Sequence, residues 1–376
     1  MKIIQYVKAF GNKKFSELPF NEVDALIFAE LAYVNFDLAI GEYEFKKLKN
    51  LKIENKKKFY EGSVDSFFNR QLVELMIKSV RYRNVKIGFC RQMVDRKKAL
   101  QFFAMTLIMP DHRGYIAYRG TDTSLNGWKE DMLLAFQNHM PGQEKAVEYI
   151  KTATTLFTGN FFVGGHSKGG NLAIWATLNM GEELEPRLVQ AYSFDGPGFR
   201  KDITKMKSFE RLQSRMTKFL TTHDMIGVVY NNAPNPKIVY SDGILLGGHD
   251  PFFWSVNRRD CTFLYTKDRS ILSKGSEEAL MNWLKKESDE SKKLAVHVIF
   301  DLFGECKTVY DLLLNGFRLL FNSKKVIEGY SEEDRENAKQ IFKQLGKYFL
   351  SAYNPRKFIK QKKETPENTE LIEDKE

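Results

Sequence analysis

The stretch from Phe161 to Ile174 limits what this chain can fold into more than any other. Phe161, Phe162 and Val163 form an apolar run suited to a buried strand. Gly165 to Gly169 spell a Gly-x-Ser-x-Gly turn, and Leu172, Trp175, Ala176 and Asn179 then repeat at helical spacing. A strand that turns into a helix this tightly has no room for side chains beside the serine, so Gly165 and Gly169 have a steric duty. The strain lifts Ser167 above the sheet, and the helix aims its N-terminal dipole at whatever oxygen reacts there. This is the layout of a nucleophile elbow. Glycine and serine also make ordinary turns; the strand before, the helix after and the further glycine at Gly170 are what make the pattern specific.

A serine hydroxyl becomes a useful nucleophile only when a base takes its proton and a carboxylate holds that base. In folds built on such an elbow the chain order is Ser, then Asp or Glu, then His. The chain has six histidines, His112, His139, His166, His223, His249 and His297, of which only the last three follow Ser167. His297 lies in an apolar helical run, where an interior or surface histidine is the default. His166 stands beside the nucleophile and points away from it. His249 follows Gly247 and Gly248 on a loop that can reach over a pocket, and Phe252, Phe253 and Trp254 behind it could dock that loop or line an acyl site. It is the expected base.

Two acids close strand-like runs: Asp195 after Leu188 to Phe194, and Asp224 after Met216 to Thr222. Strand ends of such a sheet face the ligand crevice. Asp195 begins an Asp-Gly-Pro-Gly turn that its own carboxylate can stabilise, while Asp224 is followed by Ile226 and Gly227.

Asn21 can cap an amphipathic helix through Val23, Leu26, Ile27, Leu31 and Val34, and Ser63 to Val80 repeats at the same period. The lysine-rich link between them reads as exposed. Strands follow at Val85 to Phe89, Gln101 to Met109 and Tyr115 to Tyr118, with His112 in the hairpin turn between the last two. Glu144 to Phe157 is the helix entering the elbow strand. Cys261 to Tyr265 reads as a last strand, and Ser276 as the cap of a helix running to Lys286. Lys293 to Phe321 is apolar but broken by Asp301, Glu305, Lys307, Asp311 and Arg318, so it is no membrane span. Ser331 to Tyr353 is a further amphipathic helix, and the charged remainder lacks the apolar residues to fold. The expected division is a body over 1–285, a helical extension over 286–355 and a tail over 356–376.

With 43% hydrophobic residues the chain can bury a large core. Three widely spaced cysteines, Cys90, Cys261 and Cys306, suggest neither a disulfide framework nor a zinc site. The N-terminal apolar run is too short and too soon charged for a signal peptide, so a cytoplasmic protein is expected. The net charge of +10 comes without an RNA-binding aromatic platform or a recognition helix, which argues against nucleic acid. It leaves solvated lysine faces or attraction to an anionic membrane surface.

Tyr118-Arg119-Gly120-Thr121, the Trp128 to Asp131 segment and Gly165 to Gly170 together resemble class 3 lipases. The similarity is closer to the DUF2974 (Mbeg1-like) family, and there also takes in Phe20 to Val34, Ser193 to Gly198 and His249 to Trp254. The resemblance implies an α/β-hydrolase fold, a class 3 lipase-like central sheet flanked by helices, with additional N-terminal helices and a C-terminal helical extension. It implies Asp224 as the acid and Thr121 as one oxyanion donor; the backbone N–H of Lys168 would be the other. Lysine at 168 departs from the apolar residue usual in class 3 lipases, and would either greet an anionic substrate or point to solvent. The expected reaction is acyl-ester hydrolysis of a small-molecule or lipid ester by Ser167, His249 and Asp224, without metal or cofactor. Thioester, amide or peptide cleavage on the same triad, or a binding role on a hydrolase scaffold, stay open.

Overall fold

The computed structural model describes residues 1–61, 66–95, 97–98, 100–122, 131–133, 136–231, 235–243, 246–303, 326 and 328–352. Trp128, Cys306, the run from 304 to 321 and the charged tail, on which expectations above fall, lie outside the described residues.

The frame is a nine-stranded sheet in the order β1 (Phe45–Lys47), β2 (Lys86–Asp95), β3 (Leu100–Ile108), β4 (Gly114–Tyr118), β5 (Phe161–His166), β6 (Leu188–Phe194), β7 (Met216–Thr221), β8 (Lys237–Val239) and, after the separate pair β9 (Val256–Asn257) and β10 (Thr262–Phe263), β11 (Tyr265–Thr266). β1 to β4 run antiparallel, β4 to β8 run parallel, and β11 closes the far edge antiparallel. The expected last strand at Cys261 to Tyr265 is therefore divided: its first half pairs with β9 and its end with β8.

Successive residues of the parallel strands feed two cores, as the two-residue period of a strand requires. Tyr115, Ala117 and Phe162 face one core, while Ile116, Tyr118, Phe161 and Val163 face the other. Helices α1 (Ile3–Phe10), α2 (Glu22–Leu31) and α3 (Ser66–Lys78) cover the first face. The crossover helices α4 (Pro141–Ala153), α5 (Lys168–Asn179) and α6 (Lys207–Leu212) cover the second. This mixed sheet, flanked by helices and carrying an elbow at its central strand, is the α/β-hydrolase fold expected from the sequence.

Asn21 caps α2 as read: its Oδ1 accepts from the N–H groups of Val23 at 3.0 Å and Asp24 at 3.1 Å. The helix is not amphipathic, however, because every residue from Val23 to Leu31 is buried. It lies between the sheet on one side and α3 and β10 on the other, so its polar residues must be satisfied inside the protein. Asp24 meets that need through Arg81, whose Nε donates at 2.9 Å and whose Nη2 binds the second carboxylate oxygen, and through the Tyr82 hydroxyl at 2.5 Å. In the lysine-rich link, Leu48 and Phe59 are buried anchors, while Lys49, Lys52 and Lys56 to Lys58 stay exposed.

Helix α7 (Leu246–His249) is a single turn. Helix α8 (Ile271–Lys286) starts at a Ser270 cap, ahead of Ser276. Ser276, expected as the cap, lies instead inside the helix, where it and Gly275 are buried small residues. Helices α9 (Asp289–Phe303) and α10 (Glu332–Ala352) pack with α8 around Trp283, Leu284, Ala295 and Ile341, and Val229 and Tyr230 from the loop after β7 join the same cluster. Among the described residues no helix is long and apolar enough to cross a membrane.

Candidate active site

The parallel strands β4, β5, β6 and β7 end side by side, and the chain beyond each end supplies Thr121, Ser167, Asp195 and Asp224. Ser167 joins β5 to α5 with φ 57° and ψ −132°, a backbone that L-residues hold only under constraint. The two glycines flanking it are required by contact. A Cβ on Gly165 would fall 2.3 Å from the carbonyl carbon of Gly169, and one on Gly169 would fall 2.1 Å from the Tyr118 carbonyl oxygen.

His249, at the end of α7, lies beside this elbow with its ring 4.4 Å from that of His166. Its Nδ1 is 2.7 Å from Asp195 Oδ2. A proton on Nδ1 leaves Nε2 as the lone-pair nitrogen, the tautomer a general base needs. Burial lowers the imidazole's affinity for a second proton. The loop is docked from behind: Asp250 Oδ1 accepts from Phe252 N–H at 2.9 Å, Phe252 stacks on Phe68, and Trp254 is fully buried. The aromatic cluster thus serves mainly as anchor, with Phe253 alone partly exposed at 39%.

The acid touching the imidazole is Asp195, where Asp224 was expected. The β6–β7 register, with Phe194 opposite Phe219, brings the Asp195 N–H to 2.9 Å from the Phe219 carbonyl. A positive φ of 52°, which aspartate tolerates better than most residues, then turns its carboxylate toward the histidine loop. Asp224 performs the turn duty assigned above to Asp195: its Oδ1 accepts from the N–H groups of Ile226 and Gly227, both at 2.8 Å. The two carboxyl groups face each other closely enough to shift each other's titration, and both are fully buried. Burial pushes Asp195 up to about 7, opposed by the hydrogen bond from Asp224 and the charge of Lys218. Asp224 is raised well above the usual carboxylate range by burial and by Asp195.

His166 has a task that the sequence did not announce. Its Nε2 is 2.9 Å from the His249 carbonyl, an acceptor, so Nε2 carries a proton. Its Nδ1 lies 3.2 Å from the Tyr33 hydroxyl and 3.5 Å from Glu30 Oε1. Burial holds this imidazole well below the ordinary histidine range, hence neutral, and Nδ1 then accepts from Tyr33. The segment at the end of α2 thereby fixes the backbone of His249 through the residue next to the nucleophile. Arg119 ties the same segment down: its Nε donates to the Ala32 carbonyl and its Nη2 to the Val34 carbonyl at 3.2 Å.

Thr121 is buried and its hydroxyl donates to Asp131, which leaves its backbone N–H as the donor to offer. Lys168 neither greets substrate nor points to solvent. Its side chain is 1% exposed and reaches back to donate to the Gln101 carbonyl at 2.9 Å. His112 is an exposed turn residue with φ 68°, and His297 is exposed on α9.

These observations define a class: an α/β-hydrolase scaffold bearing a strained elbow serine and, on a loop against the same elbow's His166, a histidine bound to a carboxylate. The Mbeg1-like family model matches residues 76–301, more than half of the chain, and the protein belongs to that family. Among solved structures it is similar to M37 lipase, at 13% identity and a TM-score of 0.39, covering 56% of this chain and 70% of that one. It is also similar to a mutant form of MDLA from Penicillium cyclopium, at 12% identity and a TM-score of 0.40, covering 70% and 87%. No curated protein matches.

Proposed function

We propose that the protein is a serine hydrolase that transfers the acyl group of an ester to water. Ser167 attacks the carbonyl carbon as His249 Nε2 takes its proton, and Asp195 steadies the resulting imidazolium. The backbone N–H groups of Thr121 and Lys168 receive the charge on the carbonyl oxygen; one such donor is worth about 3 kcal/mol. The imidazolium then protonates the leaving alcohol. Water activated by the same nitrogen releases the acid and restores Ser167. The observation that carries this reading is the combination of Ser167 at positive φ with the His249 imidazole, whose ring lies 4.4 Å from that of the neighbouring His166 and whose own Nδ1 is committed to a sealed carboxylate. A net charge of +10 supports approach to an anionic lipid surface that would present such esters. The unpaired thiols of Cys90 and Cys261 support a reducing, cytoplasmic setting.

A fluorophosphonate probe should label the wild type and fail to label Ser167→Ala; equal labelling of both would dismiss the nucleophile. A panel of p-nitrophenyl esters of rising chain length, beside thioester and amide counterparts, assigns the bond type. Folded protein without any acyl-transfer activity and without labelling would leave the binding role.

A further inference from the structure

Two carboxylate oxygens at the candidate site are sealed from water and, among the described residues, accept no well-formed hydrogen bond: Asp195 Oδ1 and Asp224 Oδ2. They converge on one point. A Cβ built on Gly227 would meet Asp195 Oδ1 at 2.6 Å and Asp224 Oδ2 at 2.8 Å. The other oxygen of each group is committed, Asp195 Oδ2 to His249 and Asp224 Oδ1 to the Ile226 and Gly227 N–H groups. Two ionised carboxylates placed this way would set acceptor against acceptor inside the core, which repulsion and lost hydration both oppose. A single proton between them satisfies both oxygens at once.

We propose that Asp224 stands in the folded protein as an un-ionised carboxylic acid whose Oδ2–H donates to Asp195 Oδ1, so that it positions the Asp195 carboxylate against His249 without being the triad acid itself. The site chooses which partner holds the proton. Asp195 faces an imidazole that becomes cationic during the reaction and gains by being ionised; the two backbone N–H groups on Asp224 Oδ1 favour the ionised form there too, but the carbonyl oxygen of a neutral acid still accepts both. The charged groups around the pair are Lys218, whose Nζ donates to the Gly227 carbonyl at 2.8 Å, Arg269, and His249 itself. With burial lifting both carboxyls, the pair keeps one proton at neutral pH, and the better-compensated member gives its proton up first.

This inference rests on the hydrolase reading, and the experiments separate the two. In an infrared difference spectrum of wild type against Asp224→Asn at neutral pH, the band lost should be that of a neutral carboxyl group; loss of carboxylate bands overturns the proposal. Asparagine can donate from its amide where the acid donates from its hydroxyl. Asp224→Asn should therefore keep kcat/KM within about tenfold of wild type, while Asp224→Ala should lose more and Asp195→Asn should lose about 10⁴-fold, the cost of a wrongly held imidazole. Asp224→Asn that is folded by circular dichroism but as inactive as Asp195→Asn also overturns it. Absence of Ser167-dependent fluorophosphonate labelling in the wild type would instead sink the hydrolase reading, whatever the infrared bands show.

Discussion

On the proposed mechanism, His166 is a side chain that takes no part in bond making and yet should set a rate. It gives one hydrogen bond to the His249 carbonyl and packs its ring against the His249 ring. Removing it leaves the imidazole attached to Asp195 but frees the backbone that carries it. Displacements on the order of 1 Å cost about 10²-fold in rate. His166→Ala should thus lower kcat by about that factor with KM nearly unchanged, and Tyr33→Phe, which removes only the hydroxyl behind it, should cost less. Steady-state kinetics on one ester check both, and a change confined to KM would contradict the positioning role. Residues of this kind were invisible in the sequence. Tyr33 and His166 lie far apart in the chain, and nothing local marks either one. Lys168 misled for a related reason: an exposed lysine is the usual case, but a carbonyl at Gln101 within reach let this one be buried.

Among the elements, β5, β6, the elbow and the Asn21 cap could all be read in advance because each depends on neighbours in sequence. The choice between Asp195 and Asp224 could not. Both close strands, and only the pairing of β6 with β7 and the positive φ at Asp195 decide which carboxylate reaches His249. Helix α2 illustrates the same limit, since its wholly buried surface depends on α3 and β10 packing outside it. That burial makes the Asp24–Arg81 pair vulnerable, both side chains being 0% exposed. Asp24→Ala leaves the buried guanidinium without its counter-charge and the Asn21 N–H without its acceptor, and should destabilise the fold by about 3–5 kcal/mol. The midpoint of urea unfolding, followed by circular dichroism, measures this. A loss under about 1 kcal/mol would mean that the carbonyls Arg81 already donates to, Leu18 at 2.7 Å and Pro19 at 3.3 Å among them, satisfy it without the carboxylate.

For the molecule as a whole, the Asp195 carboxyl sets activity and stability against each other. Its folded affinity for a proton rises from 3.8 to about 7. The folded chain therefore binds that proton more tightly than the unfolded one, and the stabilisation is whole below 3.8 and gone once the pH has risen past about 7. Activity should move the other way, because only the ionised form supports an imidazolium. Across that range kcat/KM should climb, while the advantage of the wild type over Asp195→Asn in urea midpoint should shrink. An advantage that grew with pH would show that folding lowers the carboxyl's affinity for a proton instead of raising it.

The link from Tyr33 through His166 to His249 bears on how this protein should be produced in the laboratory. The family match opens at residue 76, yet Asp24, Glu30 and Tyr33 all precede it. A clone trimmed to the matched boundaries would discard the support of its own imidazole and lay bare the aromatic surface that α1 and α2 now cover. Such a product should come out insoluble or inert, and would be mistaken for proof that the family catalyses nothing.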